Sequence, residues 1–476
     1  MKKFVLFIAC LWMLTLTATA QIKNYYVSPS GKDSNNGTSA GAAWLTIAHA
    51  ESALTLGSSG TCSATNGWYS ESNVGACVHV LAGNYPAPTS TCLADSMPHT
   101  VCGTRNGTPG TRIVFLSDTY RAAVLNGKFV ERGDNVSVVG FTITCPSCDA
   151  AIWFGFGANS VGSSNLGFNN SARYNYIHDT AQAYNGGNKV FFGCPTAGAI
   201  YTGYAPNGIV IDGNQIDHFA ATTRDPGGQA CHESHGIYVS GPRNRITNNV
   251  ISRSAGFAVH LYHNTCQEVV SNNTVFNNYG GGLDISSGSS NDGQGDPVYC
   301  GNVNQWTAVN NNLAINNGAD WGFHGIREFS GRNANNTYNN NLLIGNLPND
   351  AILQNNCSSS CSDGPLPSSA TFSSNLCAVS GSASNACTGS TAATTASLFG
   401  NYTGTASGNY QLISGSPAIG AGTSGKCAAS GQTSCVPTTD FAILARSLPT
   451  STGAYEFVSS AGSAPGAPTG LTALVQ

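Results

Sequence analysis

An Asn recurs before a short apolar triplet through the middle of this chain, in most cases as the second residue of an Asn-Asn or Gly-Asn pair. The instances are Asn175-Tyr176-Ile177, Asn214-Gln215-Ile216, Asn249-Val250-Ile251, Asn273-Thr274-Val275, Asn312-Leu313-Ala314 and Asn341-Leu342-Leu343. Each triplet alternates with the strand period, and another short apolar strand precedes it. No such unit can bury its apolar face alone, so the pattern predicts a solenoid of stacked coils. The Asn side chains are expected to bond one another's backbone at the turn. A stack of this kind determines where a site can lie without naming a substrate.

The N-terminal residues 1–20 read as an export signal: Lys2 and Lys3, an apolar run from Phe4 to Leu16, and Ala18-Thr19-Ala20 before Gln21. The run is short for a membrane span, and apolar residues continue past Cys10, against a lipoprotein reading. No other segment is long and apolar enough to cross a bilayer. Removing the signal leaves 16 of the 17 cysteines, an even number that suggests disulfides in an exported chain. Near neighbours are Cys92 and Cys102, Cys145 and Cys148, Cys357 and Cys361, Cys377 and Cys387, and Cys427 and Cys435. The Cys145-x-x-Cys148 spacing also suits a redox or zinc pair, although no second pair completes a zinc spacing.

Charged residues make up 9% of the chain, against about 25% in ordinary domains. Gly, Ser, Thr and Asn take their place, as polar uncharged turns between short strands require. Without Lys2 and Lys3 the formal charge falls from −4 to −6. That balance argues against nucleic acid as a partner. It leaves room for an extracellular polysaccharide bound through a few placed Arg, Lys or calcium ions, by a chain expected to be monomeric.

The string YYVSPSGKDSNNGTSAGAAWLTIAHA, followed by AGNY and GTPGTRIVFLS, resembles the opening of many secreted right-handed parallel β-helix proteins, family 9 pectate lyases among them. The resemblance covers about residues 24–145 and continues loosely to about 347; it implies the fold more strongly than an activity. Further on, SPAIGAGTS at 416–424, Asp440, Arg446 and GAYEF at 453–457 resemble the choice-of-anchor Q segment that closes surface β-helix proteins. The tail SAPGAPTGLTALVQ resembles a linker entering a fibronectin type III module. The expected architecture is all-β: a signal over 1–20, a cap and first coils over 21–133, repeats over 134–347, closing coils over 348–457, and a linker over 458–476. Trp44, Ile47, Ala48 and Leu54 predict a short amphipathic capping helix.

Aligning the strand before each Asn step gives Gly208–Ile211, Gly236–Val239, Ala258–Leu261, Gly282–Ile285 and Gly325–Arg327, the last disturbed by Glu328. Alternation then predicts an outward column of Val210, Tyr238, His260, Asp284 and Arg327, with coils about 4.8 Å apart. A neighbouring column reads Asp212, Ser240, Tyr262 and Ser286. The first column holds the groups that β-elimination on a polyuronate needs. His260, Tyr238 and His235 are candidate base and acid, and Arg327 is the candidate neutraliser of the substrate carboxylate. Asp284, with Asp292 and Asp296 of the loop NDGQGD, is a candidate calcium site through oxygen ligands. Tyr262, Arg243 and Trp321 are candidate sugar contacts. His260 and Arg327 are expected to be exposed.

The segment His232-Glu233-Ser234-His235-Gly236-Ile237 resembles the Gly-His-Gly step of polygalacturonases and the His-Gly-Ile step of mannuronan C5-epimerases. It lacks the Asp-Asp pair of the first, and its Asp225-Pro226 and His232-Glu233 are split by Gly227–Cys231. Asp212 with Glu233, or Asp320 with Glu328, are candidate acid pairs for hydrolysis. Trp153, Phe154, Phe156 and Trp306 suit either sugar stacking or core packing, and His178, His218 and His263 read as turn and surface residues. The leading expectation is a secreted lyase on an acidic glycan of the pectate or alginate type. The alternatives are a non-catalytic glycan-binding or adhesin-like surface protein and a polygalacturonase-like hydrolase.

Overall fold

The asparagine pattern becomes a right-handed parallel β-helix in the computed structural model. It describes residues 21–87, 97–155, 167–182, 194–203, 207–220, 231, 233–262, 265–286, 304–320, 322–329, 333–348, 350, 352–354, 370–378, 387, 389–423 and 434–457. Three sheets of 12, 11 and 9 strands wrap one core, and successive coils pair in parallel within each sheet. Inward positions stack in files. In the third sheet Phe129, Ile152, Ile200, Ile237, Val259, Leu283 and Ile326 follow one another in register, and all are fully buried. In the second, Ile177, Ile216, Ile251, Val275, Ala314 and Leu343 do the same. These are the apolar residues that follow each repeated Asn.

The corner between first and second sheets explains the doublets. The residue before each repeated Asn adopts positive φ: Tyr174, Gly213, Asn248, Asn272, Asn311 and Asn340 lie between 54° and 68°. Gly and Asn tolerate that region best, so they dominate the position. The second residue turns inward and builds a ladder. The amide of Asn249 receives Asn214 N–H at 2.9 Å and Asn214 Nδ2 at 3.0 Å. In turn Asn249 N–H and Nδ2 each donate to Asn273 Oδ1 at 3.0 Å, and Nδ2 also reaches Ile211 O at 2.9 Å. The series runs from Asn175 to Asn375. A second ladder, Asn278, Asn317 and Asn346 ending on Asp350, follows the second sheet.

The cap helix is Ile47–Ala53, shorter than the apolar pattern, with Thr46 as its N-cap. The closing segment does not sit over the far end of the coils. Leu398, Phe399, Tyr410, Leu412 and Phe441 lie in one cluster with Phe276, Leu313, Ile315, Leu342 and Ile344 on the outer face of the second sheet. The outward Asn of each doublet holds this segment: Asn272 Nδ2 donates to Ser451 O at 3.0 Å, Asn340 Nδ2 to Ala421 O at 2.8 Å, and Asn248 Oδ1 accepts from Arg446 Nη2 at 2.6 Å. Local cysteine pairing holds for Cys145–Cys148 and Cys377–Cys387, while Cys62–Cys77 and Cys194–Cys231 join across longer stretches. Every described cysteine is in a disulfide, including Cys145 and Cys148, which form neither a zinc site nor an accessible redox pair because both are fully buried.

Asn273→Ala should be strongly destabilising. It strips the side-chain partner from Asn249 N–H and from Ile246 O and one of two bonds each from Asn249 Nδ2 and Asn312 Oδ1, all in the buried corner. Each buried polar group left unmade costs about 1–3 kcal/mol, so a total loss of about 3 kcal/mol or more is expected by denaturant unfolding. A loss no larger than that of an exposed Asn substitution would remove the ladder from the account.

Candidate functional site

The third sheet carries the file of unlike side chains. Its strands Ile152–Phe154, Ala197–Thr202, Ser234–Val239, Phe257–Leu261, Gly281–Ser286 and Ile326–Phe329 align in one register. The outward positions read Trp153, Tyr201, Tyr238, His260, Asp284, Arg327. The four expected residues are therefore neighbours, coil by coil. Val210 is not their predecessor: it pairs with Ser171 and Arg245 in the first sheet. The chain inserts Ala197–Thr202 before it, and Tyr201 takes the predicted place. Asp212 likewise leaves the second column, since it accepts from Thr247 Oγ1 at 2.6 Å and Asn248 Nδ2 at 3.0 Å in the first sheet.

The file is joined by hydrogen bonds in one direction. Phe257 N–H donates to His235 Nδ1 at 3.2 Å. A backbone N–H can only donate, so the His235 proton sits on Nε2. That nitrogen lies 2.8 Å from His260 Nδ1, which must then accept. The remaining His260 proton is on Nε2, 3.2 Å from Asp284 Oδ2. Both imidazoles are thus neutral Nε2–H tautomers. Asp284 also receives Arg327 Nε at 2.9 Å, Arg327 Nη2 at 2.7 Å and Ser286 Oγ at 2.9 Å. The fork geometry of arginine on a carboxylate makes this the strong link.

Aromatic rings enclose the network. The Arg327 guanidinium stands 4.6 Å from the Phe257 ring centre and 4.3 Å from that of Phe323. Tyr238 stacks on His260 at 5.1 Å and 11°, and Tyr262 tilts against the same ring at 5.3 Å. Trp153, Tyr201 and Tyr238 continue as a ladder with centroids 4.7 and 5.2 Å apart. The expected exposure of His260 and Arg327 is not found: their side chains are 15% and 9% exposed, and Asp284 is fully buried. Stacking of rings over a short outward file removes water from the polar groups, which alternation alone does not anticipate.

The remaining expected residues are dispersed. Arg243 lies at the corner leading to the first sheet, where its Nε donates to Gln267 Oε1 at 2.9 Å. Glu328 points into the coil in the file of Ile285 and accepts from Asn336 Nδ2 at 2.9 Å, so it does not pair with Asp320 on an outer face. Its carboxylate, after burial, holds the neighbouring Tyr338 phenol well above its usual range. Trp321, Asp292, Asp296, His263 and Phe156 lie outside the described residues. His178 and His218 share the Asp179 carboxylate at the surface, at 2.9 and 2.7 Å. The residue least visible in the sequence as part of the network is Phe257, whose N–H sets both tautomers.

Calcium does not suit Asp284 as it stands. A bidentate guanidinium already occupies the carboxylate, and a cation there would face Arg327. Among the described residues no group of three or more His, Cys, Asp or Glu is arranged to hold a metal ion.

No family model matches the chain, and no curated protein matches it. Among solved structures it is similar to a pectate lyase, Pel9A, at 16% identity and a TM-score of 0.46, over 92% of this chain and 97% of that one. A rhamnogalacturonan lyase is similar at 12% identity and 0.38, over 74% and 87%. A mannuronic acid specific family 6 polysaccharide lyase from human gut microbiota is similar at 13% and 0.29, over 64% and 74%. At these identities no residue takes a role from the comparison.

The tautomers are open to direct test. Imidazole nitrogen resonances should show His235 and His260 neutral and protonated at Nε2, and His235→Ala should release His260 into a mixture of tautomers. Asp284→Ala removes the forked carboxylate from a buried guanidinium and should cost about 3–5 kcal/mol in denaturant unfolding. A cost near zero would mean the file is solvated and the network does not form.

Proposed function

We propose that the chain is an extracellular polysaccharide lyase that cleaves an acidic glycan of the pectate or alginate type by β-elimination. The observation that supports it is the outward file in which Tyr238, His260, Asp284 and Arg327 stand on successive coils with His235 bonded to His260. Coils about 4.8 Å apart present successive positions to an extended polymer. The disulfides support extracellular placement, as does the N-terminal signal pattern read from the sequence. Among the described residues no helix is long and apolar enough to cross a membrane.

In this reading His260 takes the proton next to the uronate carboxylate and Tyr238 supplies one to the departing glycosidic oxygen. Taking a proton at Nδ1 requires His235 to turn its Nε2–H away. Asp284 then holds the imidazolium that forms, as a buried carboxylate does behind a catalytic histidine. Arg327 keeps Asp284 oriented through its two forked bonds, a positioning role in place of the expected contact with the substrate carboxylate. No step is routed through calcium.

One feature favours a second reading, a non-catalytic glycan-binding protein. The His235–His260–Asp284–Arg327 network is internally bonded and largely buried, as a structural network would be. An assay separates the two. The secreted chain is incubated with a panel of polyuronates, with and without calcium, while ultraviolet absorbance of unsaturated uronides and new reducing ends are followed. A lyase gives both signals; His260→Ala should lower the rate by about 10²–10⁴, with the fold intact by circular dichroism. Reducing ends without absorbance would mean hydrolysis. Retention on a polymer without cleavage would establish the binding protein.

A further inference from the structure

A buried carboxylate at the N-terminal end has no role in the site and an unusual environment. In the strand Lys128–Glu131 alternation places Phe129 in the interior file, and therefore Glu131 as well, between Gly103 and Phe154 on adjacent coils. Glu131 is fully buried. Its Oε1 accepts from Gly133 N–H at 2.7 Å, while Oε2 has no hydrogen-bond partner. The group reaches past Gly103 toward the cap, and a Cβ on that residue would collide with Glu131 Oε2.

On the other side stands Glu51 of the cap helix, 7% exposed. Its Oε1 accepts from Thr104 N–H and Arg105 N–H, both at 2.9 Å, the two residues that follow Gly103. One oxygen of Glu51 thus takes two backbone donors. A bare charge beside it, buried without a donor for one oxygen, would be strongly disfavoured. Burial first and the Glu51 charge second raise the Glu131 carboxyl well above the usual range, against weaker help from Arg132 and backbone N–H groups. The other charged group on this side, Arg105, directs its guanidinium to Ser52 O. Three backbone N–H groups point at the two carboxylates, an arrangement that suits a carboxylic acid better than a metal ion.

We infer that Glu131 is a neutral carboxylic acid held in the interior on the far side of Gly103 from Glu51, a latch that fastens the cap helix to the first coils and opens as pH rises. It works whether or not the third sheet is catalytic. The stabilisation is complete below the unfolded glutamate value, about 4.3, and is lost as pH rises through the raised folded value. The folding equilibrium of the native chain should weaken between those two values by up to tenfold per pH unit, and level off above the higher one, relative to Glu131→Gln, whose amide cannot ionise.

The test compares unfolding midpoints of the native chain and Glu131→Gln from acid to mildly alkaline pH. The difference between them should be flat in acid and should grow in favour of the variant as pH rises. A difference that stays constant over the range overturns the proposal. Should the variant not fold, infrared spectra of the native chain labelled at glutamate carboxyls decide. A protonated-carboxyl band at neutral pH, shielded from rapid deuterium shifts, supports the latch, and its absence overturns it. Calcium is added in a parallel series; a rise in the native midpoint that Glu131→Gln does not share would assign the pair to a cation instead.

Discussion

One amide per coil controls this molecule. At the corner between the first two sheets the chain reverses over a single left-handed residue, and the next backbone N–H has no strand partner. A stacked Asn side chain supplies one. Coil length varies widely, with ladder partners 39, 35, 24, 39 and 29 residues apart. The N–H to Oδ1 distance nevertheless stays between 2.9 and 3.1 Å. The extra residues must therefore be accommodated away from this corner, and the pitch is held constant in all three sheets. An outward file on the third sheet exists because the inward amides of another corner keep every coil in step.

The same doublets divide the surface. Their first residue faces out and grips the closing segment, whose apolar side chains cover the second sheet. That face is occupied by the chain itself. The first sheet carries paired and hydroxyl side chains such as Ser137 with Ser171 and Asp212 with Thr247. The third sheet alone stacks imidazole, carboxylate and guanidinium groups on consecutive coils among the described residues. The division follows from turn chemistry: a residue forced to positive φ projects its side chain outward, and Asn there has an amide to offer whatever lies across it.

Much of this was legible before any coordinates. The doublets predicted the ladder, and the steps from Tyr238 to Arg327 were readable because each of those coils has one strand of plain alternation before its Asn. The reading slipped by one strand at Val210, where Gly208–Ile211 resembles its neighbours in pattern but belongs to the first sheet. A 39-residue spacing between Asn175 and Asn214 conceals the true third-sheet strand, Ala197–Thr202. Burial of the file was not legible either. Phe257 and Phe323 lie far apart in sequence, and only the fold brings them to both sides of Arg327. The outward Asn contacts were invisible for the same reason, since they reach 81 residues or more along the chain.

Scarcity of charge gives the file its electrostatic character. The cations in the strands of the third sheet, Lys128 and Arg327, each have a carboxylate at 2.6–2.7 Å. With two neutral imidazoles the network from His235 to Arg327 has no net charge at rest. Positive charge would arise there only when His260 takes a proton, beside a carboxylate already held by arginine and a serine hydroxyl. Interactions that strengthen only as the reaction proceeds lower a barrier, whereas a standing cation would bind substrate and transition state alike. Under the proposed elimination, a file whose charge develops only with proton transfer to His260 would place its stabilisation in the transition state once His235 has turned away.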